Sequence, residues 1–241
     1  MKRVLNILFG LLLMGSAQAD VQTLLQLVDY MGVDYPEAIQ NGQIINEFEY
    51  AEMEEFAGRI QSEINQLPQT AGTPELNTLS QQLSSGVRGR VDPIVVSGLT
   101  QSIRTLLMAN YEIVLTPAGV PDLSRAAQLY AENCGSCHGE AGMGDGPLAI
   151  GMEPAPTDFH DAARAGQRSL FGLYNTITLG VAGTPMPARP DLSDMERWAL
   201  AFYVGGMYAD NALIQAGNNA WQQSPLNLND AVTLSPAELA A

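Results

Sequence analysis

Both cysteines of the 241-residue chain and one of its two histidines fall within a single pentapeptide, Cys134-Gly135-Ser136-Cys137-His138. Two thiols separated by two residues can add to the two vinyl groups of one porphyrin, and a histidine directly behind them is placed to give a ring nitrogen to its iron. The spacing predicts one covalently attached haem c, with Cys134 and Cys137 as thioether anchors and His138 as the proximal iron ligand. Other chemistries suit these residues less well. A zinc site of two cysteines and two histidines has only His160 as its fourth donor, 22 residues beyond His138 and outside the usual spacing. A redox dithiol calls for a βαβ setting that the flanking sequence lacks. A disulfide across two residues is strained and leaves the histidine without a role.

A second axial ligand is sought among the methionines. Met186 stands between Pro185 and Pro187, whose fixed φ angles stiffen the loop that would aim its thioether at the iron. A thioether favours reduced iron and raises the potential, which suits an electron carrier. Met186 is the expected distal ligand, with Met143, Met152, Met195, Met207 and His160 as rivals. Gly139, Gly142, Gly144 and Gly146 are expected to let the backbone pass close to the haem edge. The carbonyl of Pro147 or a neighbour is expected to accept the free imidazole proton of His138.

These residues need a scaffold, and the sequence describes a helical one. Over 20–115, apolar residues recur at helical spacing: Leu24, Leu27, Val28 and Met31, then Ile44, Phe48 and Ala51 with Glu55 on the same face. Thr73-Pro74-Glu75 and Asp92-Pro93 read as starts of two further helices, carrying Leu76, Leu79, Leu83 and Val87, and Val96, Leu99, Ile103, Leu106 and Leu107. No alternating strand pattern is seen, so an all-α, four-helix type of domain is expected. Residues 116–121 read as a Pro/Gly linker. Asp122 or Ser124 is placed to cap a short helix leading into the cysteine motif, and 139–190, rich in glycine and proline, reads mainly as loop. Leu192-Ser193-Asp194 starts a last clear helix with Met195, Trp198, Phe202 and Tyr203, ending at Gly205-Gly206, and 210–241 reads as tail. The expected domains are thus 20–115 and 122–209.

Residues 1–19 have the form of a secretory leader. Lys2 and Arg3 precede a short apolar run from Val4 to Met14, and Ala17-Gln18-Ala19 is a small-x-small cleavage site. Cleavage before Asp20 leaves a 222-residue chain expected in a bacterial periplasm, with no segment long enough to span a bilayer. Its charged residues are 9 arginines against 26 acids, a net −17. That balance argues against nucleic acid and for cations or a basic-faced partner. The acids Asp29, Asp34, Glu37, Glu47, Glu49, Glu52, Glu54 and Glu55 offer hard oxygen donors, but a solvated acidic face accounts for them better, and none is assigned to a metal.

From Asp122 to Tyr208 the sequence resembles a class I c-type cytochrome. Ala126 and Tyr130 match the small/aromatic pair of that family's first helix, and Trp198, Leu200 and Tyr203 match the last helix, which crosses it. The segments "PAPTDFHD", "RSLFGLYNTITLGVAGTPMP" and "LSDMERWALAFYVGG" are similar to the cytochrome region in front of bacterial iron permeases. The earlier "LVDYMGVDYPEAIQNGQIINEFEYAEMEEF" resembles the helical N-terminal region of those fused proteins. The resemblance implies an all-α fold around one haem held by His138 and Met186 on opposite faces. It also implies a permease domain with paired-glutamate motifs further on. The stretch to Ala241 holds no such segment, so permease activity is not carried over.

The expected role is single-electron transfer in support of iron uptake. The expected partners are a redox protein, an iron permease domain, and ferrous or ferric iron. An iron with two protein ligands has no open position, so no enzyme activity is expected. The alternatives are a general carrier between a dehydrogenase and a terminal oxidase, and a non-redox adaptor whose haem senses redox state.

Overall fold

The structure, a computed structural model, describes residues 21–223 and 226–240. The expected leader and its cleavage site lie outside the described residues. Helices dominate, and the described chain divides into two compact units at Ile113–Val114.

The first unit holds four long helices: α1 (21–38), α2 (Glu47–Ile64), α3 (Thr73–Arg88) and α4 (Pro93–Asn110). Each buries one stripe. Leu24, Leu27, Val28 and Met31 of α1, Leu76, Leu83 and Val87 of α3, and Val96, Ile103 and Leu107 of α4 are buried as their spacing predicts. The face expected for the second helix is corrected. Phe48 is 53 % exposed, Ala51 and Glu55 are exposed, and the buried stripe is Tyr50, Met53, Ala57, Ile60 and Ile64. Asn46 sets this phase: its side chain accepts from the N–H groups of Phe48 and Glu49, so α2 starts at Glu47 and the apolar stripe follows from Tyr50.

A hairpin, β1 (Ile39–Gln40) and β2 (Gln43–Ile44), joins α1 to α2, with Ile39 opposite Ile44. It was not expected. Its turn is Asn41-Gly42, with φ of 52° and 73°, the left-handed pair that a two-residue hairpin turn requires. Long-range hydrogen bonds close the bundle at this end: the Tyr35 hydroxyl donates to Val91 O (3.1 Å) and the Tyr50 hydroxyl to Val87 O (3.2 Å). A near-buried ion pair, Arg104 Nη1 to Asp29 Oδ1 at 3.5 Å, ties α4 to α1.

The second unit is built from shorter pieces. A 3₁₀ turn at Leu123–Arg125, capped by Asp122, leads into α5 (Ala126–Asn133), followed by the single turn α6 (Gly135–His138). Then come α7 (Ala162–Gly166), α8 (Leu170–Leu179) and α9 (Asp194–Gly205). A capping box between Ser193 and Glu196 starts α9. α5 packs across α9, where Tyr130 and Tyr203 lie 5.5 Å apart, and α8 packs on α9 with Tyr174 stacked on the buried Trp198 at 4.3 Å.

Loop dominates 139–190 as expected, interrupted by α7 and by α8, which Ser169 caps through Gly172 N–H and Gly180 ends, while one expectation changes. The tail expected from 210 on holds α10 (Asn211–Gln223), α11 (Leu228–Thr233) and α12 (Pro236–Leu239). α11 packs on α8 with Val232 fully buried, whereas α10 buries nothing.

Candidate functional site

The cysteine motif sits where α5 ends. Cys134 N–H donates to Tyr130 O, closing α5, and Cys134 O then accepts from Cys137 and His138 to open α6. One helical turn puts residues three and four apart on the same face, so Cys134, Cys137 and His138 share a side. A four-residue helix does not hold itself together in water. Here the following loop folds back on it: Gly144 N–H donates to His138 O (2.9 Å), Gly146 N–H to Cys137 O (3.1 Å) and Leu148 N–H to Ser136 O (2.9 Å). The glycines serve this return. A Cβ on Gly146 would lie 2.4 Å from Ser136 O, and one on Gly144, at φ +73°, 2.3 Å from Pro156 O.

His138 is oriented from two sides. Its Nδ1 lies 3.2 Å from Thr157 O; a carbonyl only accepts, so Nδ1 carries the proton and Nε2 keeps its lone pair. This corrects the Pro147 expectation, because the loop's return takes 146–148 onto α6 and brings 157 to the imidazole instead. The Phe159 ring stacks on the imidazole at 4.7 Å and 22°. Phe159 is itself held by its N–H on Gly142 O (2.8 Å). Tyr130 braces the loop start through its hydroxyl on Gly139 O (2.8 Å). Burial pulls the His138 pKa below its ordinary value and so favours the neutral ring, partly countered by the Thr157 bond.

Both thiols are free and half-buried. Burial pushes the Cys134 thiol up to about 11, with the Arg189 charge acting the other way. Thiol–disulfide oxidoreductases need the reverse, a thiolate stabilised near neutrality. Nor do three His, Cys, Asp or Glu side chains stand together in a metal-holding group among the described residues. The zinc and dithiol readings therefore gain nothing from the geometry.

Met186 lies in the loop after α8, half-buried. Its N–H donates to Thr184 Oγ1 (3.2 Å) and its carbonyl accepts from Val181 N–H (3.1 Å). Neither bond reaches the cysteine motif. Arg189 joins the two regions: Nη1 donates to Asn133 O (3.0 Å) and Nη2 to Asn133 Oδ1, beside Cys134. Two rivals of Met186 are engaged elsewhere. Met207 packs its sulfur over Gly142, and His160 Nε2 donates to Ala141 O (2.7 Å). Met143 is exposed, while Met152 and Met195 are half-buried.

The residues present fit a covalently held haem. Two free thiols and an unprotonated ring nitrogen share one face of a braced turn. The adjoining loop leaves Leu148 58 % and Ile150 89 % exposed, apolar surface that a porphyrin edge can cover. Thr157, Phe159, Asn133 and Arg189 were not picked out from the sequence. Thr157 acts through a backbone carbonyl, which carries no side-chain signature. Arg189 had one: an arginine, scarce in this acidic chain, stands three residues after Met186.

Residues 123–207 match the family described as cytochrome c, and residues 14–113 match the iron permease-associated 4-helix bundle domain. No curated protein matches the chain. A solved chain from the reducing HAO-like protein complex of Kuenenia stuttgartiensis is similar to 48 % of this chain, at 29 % identity and a TM-score of 0.33. The match spans 60 % of that chain's length. The two matches follow one another along the chain, which thus carries an iron permease-associated four-helix bundle domain ahead of a cytochrome c domain.

Proposed function

We propose that the chain is a periplasmic one-haem electron carrier supporting oxidation-coupled iron uptake, exported by the leader at residues 1–19. The observation that carries this reading is the braced turn at 134–138, with two free thiols and a lone-pair nitrogen on one side, in a chain that also has the permease-associated bundle. Cys134 and Cys137 would hold the haem through their sulfurs, and His138 Nε2 and the Met186 thioether would be its iron donors. Bound haem supplies reversible one-electron chemistry.

The chain's own residues do the rest. Thr157 keeps the His138 tautomer, Phe159 keeps the ring plane, and the Met186 thioether favours the reduced state. A ferrous ion gives up one electron to the oxidised carrier and leaves as ferric iron. The electron then passes to a redox partner protein of higher potential. Net negative charge on both units attracts the cation.

Deleting the gene should impair growth on limiting iron more than respiration in replete medium. In the purified full chain, ferrous iron should reduce the haem, at a rate that falls as salt rises. Normal iron uptake in the deletion strain, with no reduction by ferrous iron, would favour a general electron shuttle over this reading.

A further inference from the structure

We infer that Arg189 is a positioning residue, a clasp that holds the Met186 loop in register with the Cys134 end of the cysteine motif. The inference rests on the reading above, in which Met186 and the motif serve one haem. The loop has a left-handed glycine at each end of its first half. Gly180 (φ +69°) lies so close to the returning chain that a Cβ there would meet Met186 O at 2.7 Å, and Gly183 (φ +82°) has open space around it. The prolines flanking Met186 stiffen its middle, but stiffness does not fix where the loop sits.

Arg189 does. Its side chain, 20 % exposed, donates to both the backbone and the side-chain oxygen of Asn133, the residue before Cys134, and also pairs with Asp191 through Nε and Nη2. Its own backbone is fixed too: the N–H donates to Ile177 O (3.2 Å) at the end of α8, and its carbonyl accepts from Arg197 Nη1 (3.4 Å) on α9. Among the described residues of 181–193, no other side chain hydrogen-bonds to 126–148. One planar, two-pronged group therefore spans 56 residues of sequence and ties the loop to the motif. Lysine, a single point charge, cannot reproduce both prongs. A thioether held to iron by a loop that opens yields its place to external ligands in proportion to the open fraction.

The test uses full-length protein made with its haem, and imidazole as the external ligand for the oxidised form. Arg189→Gln should keep covalent haem on a denaturing gel, yet bind imidazole roughly tenfold more tightly and lose most of the sulfur-to-iron charge-transfer absorption. Arg189→Lys should follow Arg189→Gln rather than the wild type. Asn133→Ala, which keeps the backbone carbonyl, should give a smaller gain in the same direction. In Met186→Ala, adding Arg189→Gln should change imidazole affinity no further. An affinity within about twofold of wild type in folded Arg189→Gln overturns the clasp. So does a further gain on the Met186→Ala background. Should Arg189→Gln not fold, unchanged affinity in Asn133→Ala overturns it. Absence of covalent haem from the wild type would instead contradict the proposed function itself.

Discussion

The two units carry equal net charge, 12 acidic and 4 basic residues over 21–113 against 13 and 5 over 114–241, and both are helical, yet they are held together differently. In the first, helices of 16 to 18 residues bury continuous apolar stripes against each other, and hydrogen bonds only close the ends. In the second, the motif sits on a four-residue turn that depends on loop backbone, on Thr157 and Phe159, and on Arg189. A unit whose interior is completed by a prosthetic group has less protein core of its own and relies on specific bonds to position that group. A bundle needs only periodicity.

The largest expected effect breaks that comparison directly. Made without haem attachment, the second unit should lose its cooperative unfolding transition or unfold far below the first, whose transition should not move. Calorimetry of the two preparations checks this; equal behaviour of both units would remove the contrast. Next in size are single core truncations. Trp198→Ala should cost about 3–5 kcal/mol, and Leu83→Ala about 2–5 kcal/mol, because both side chains are fully buried. Leu83→Ala should leave the haem spectrum unchanged, whereas Trp198→Ala should disturb it, since α9 braces both α5 and α8.

Smaller effects sharpen the picture. Tyr50→Phe removes the hydroxyl's bond to the Val87 carbonyl, which keeps the Arg90 N–H, and should destabilise the first unit by roughly 1 kcal/mol in denaturant titration. The smallest concerns acid. The hydrogen bond from Arg189 holds the Asp191 carboxyl down to about 2. A depressed carboxylate contributes its stabilisation fully above the ordinary value of 3.8 and loses it as pH falls toward 2. The stability of the second unit in denaturant titration should therefore fall as pH drops through that window in the wild type, and Asp191→Asn should flatten the fall.

Legibility follows the same division. Leu76, Leu83, Val87, Val96, Ile103 and Leu107 announced α3 and α4 because apolar residues at that spacing line one side of a helix and of no other regular element. The phase of α2 was misread because Ile44 and Phe48 are apolar yet precede or begin the helix that Asn46 caps. The hairpin was missed although Asn41-Gly42 is a strong turn pair, since its strands are only two residues each. α8 was hidden by the surrounding glycines and prolines, with Ser169 and Gly180 as the boundary signs that periodicity alone did not supply. In the site, the pentapeptide was legible because its residue types are rare and adjacent. Thr157 contributes through its backbone oxygen and Asn133 through backbone and side-chain oxygens, from 19 residues downstream and 56 residues upstream of the groups they bond, pairings that only the folded chain reveals.

The central claim is that Cys134 and Cys137 hold one haem covalently, and peptide mass spectrometry tests it most directly. The full chain, produced with a periplasmic haem-attachment system and cleaved after arginine, yields one peptide, Ala126–Arg164, that contains both cysteines. That peptide is predicted to carry the mass of a single haem and to resist thiol alkylation at both positions. Recovery of the same peptide without haem, both cysteines fully alkylated, from protein matured under those conditions would contradict the account.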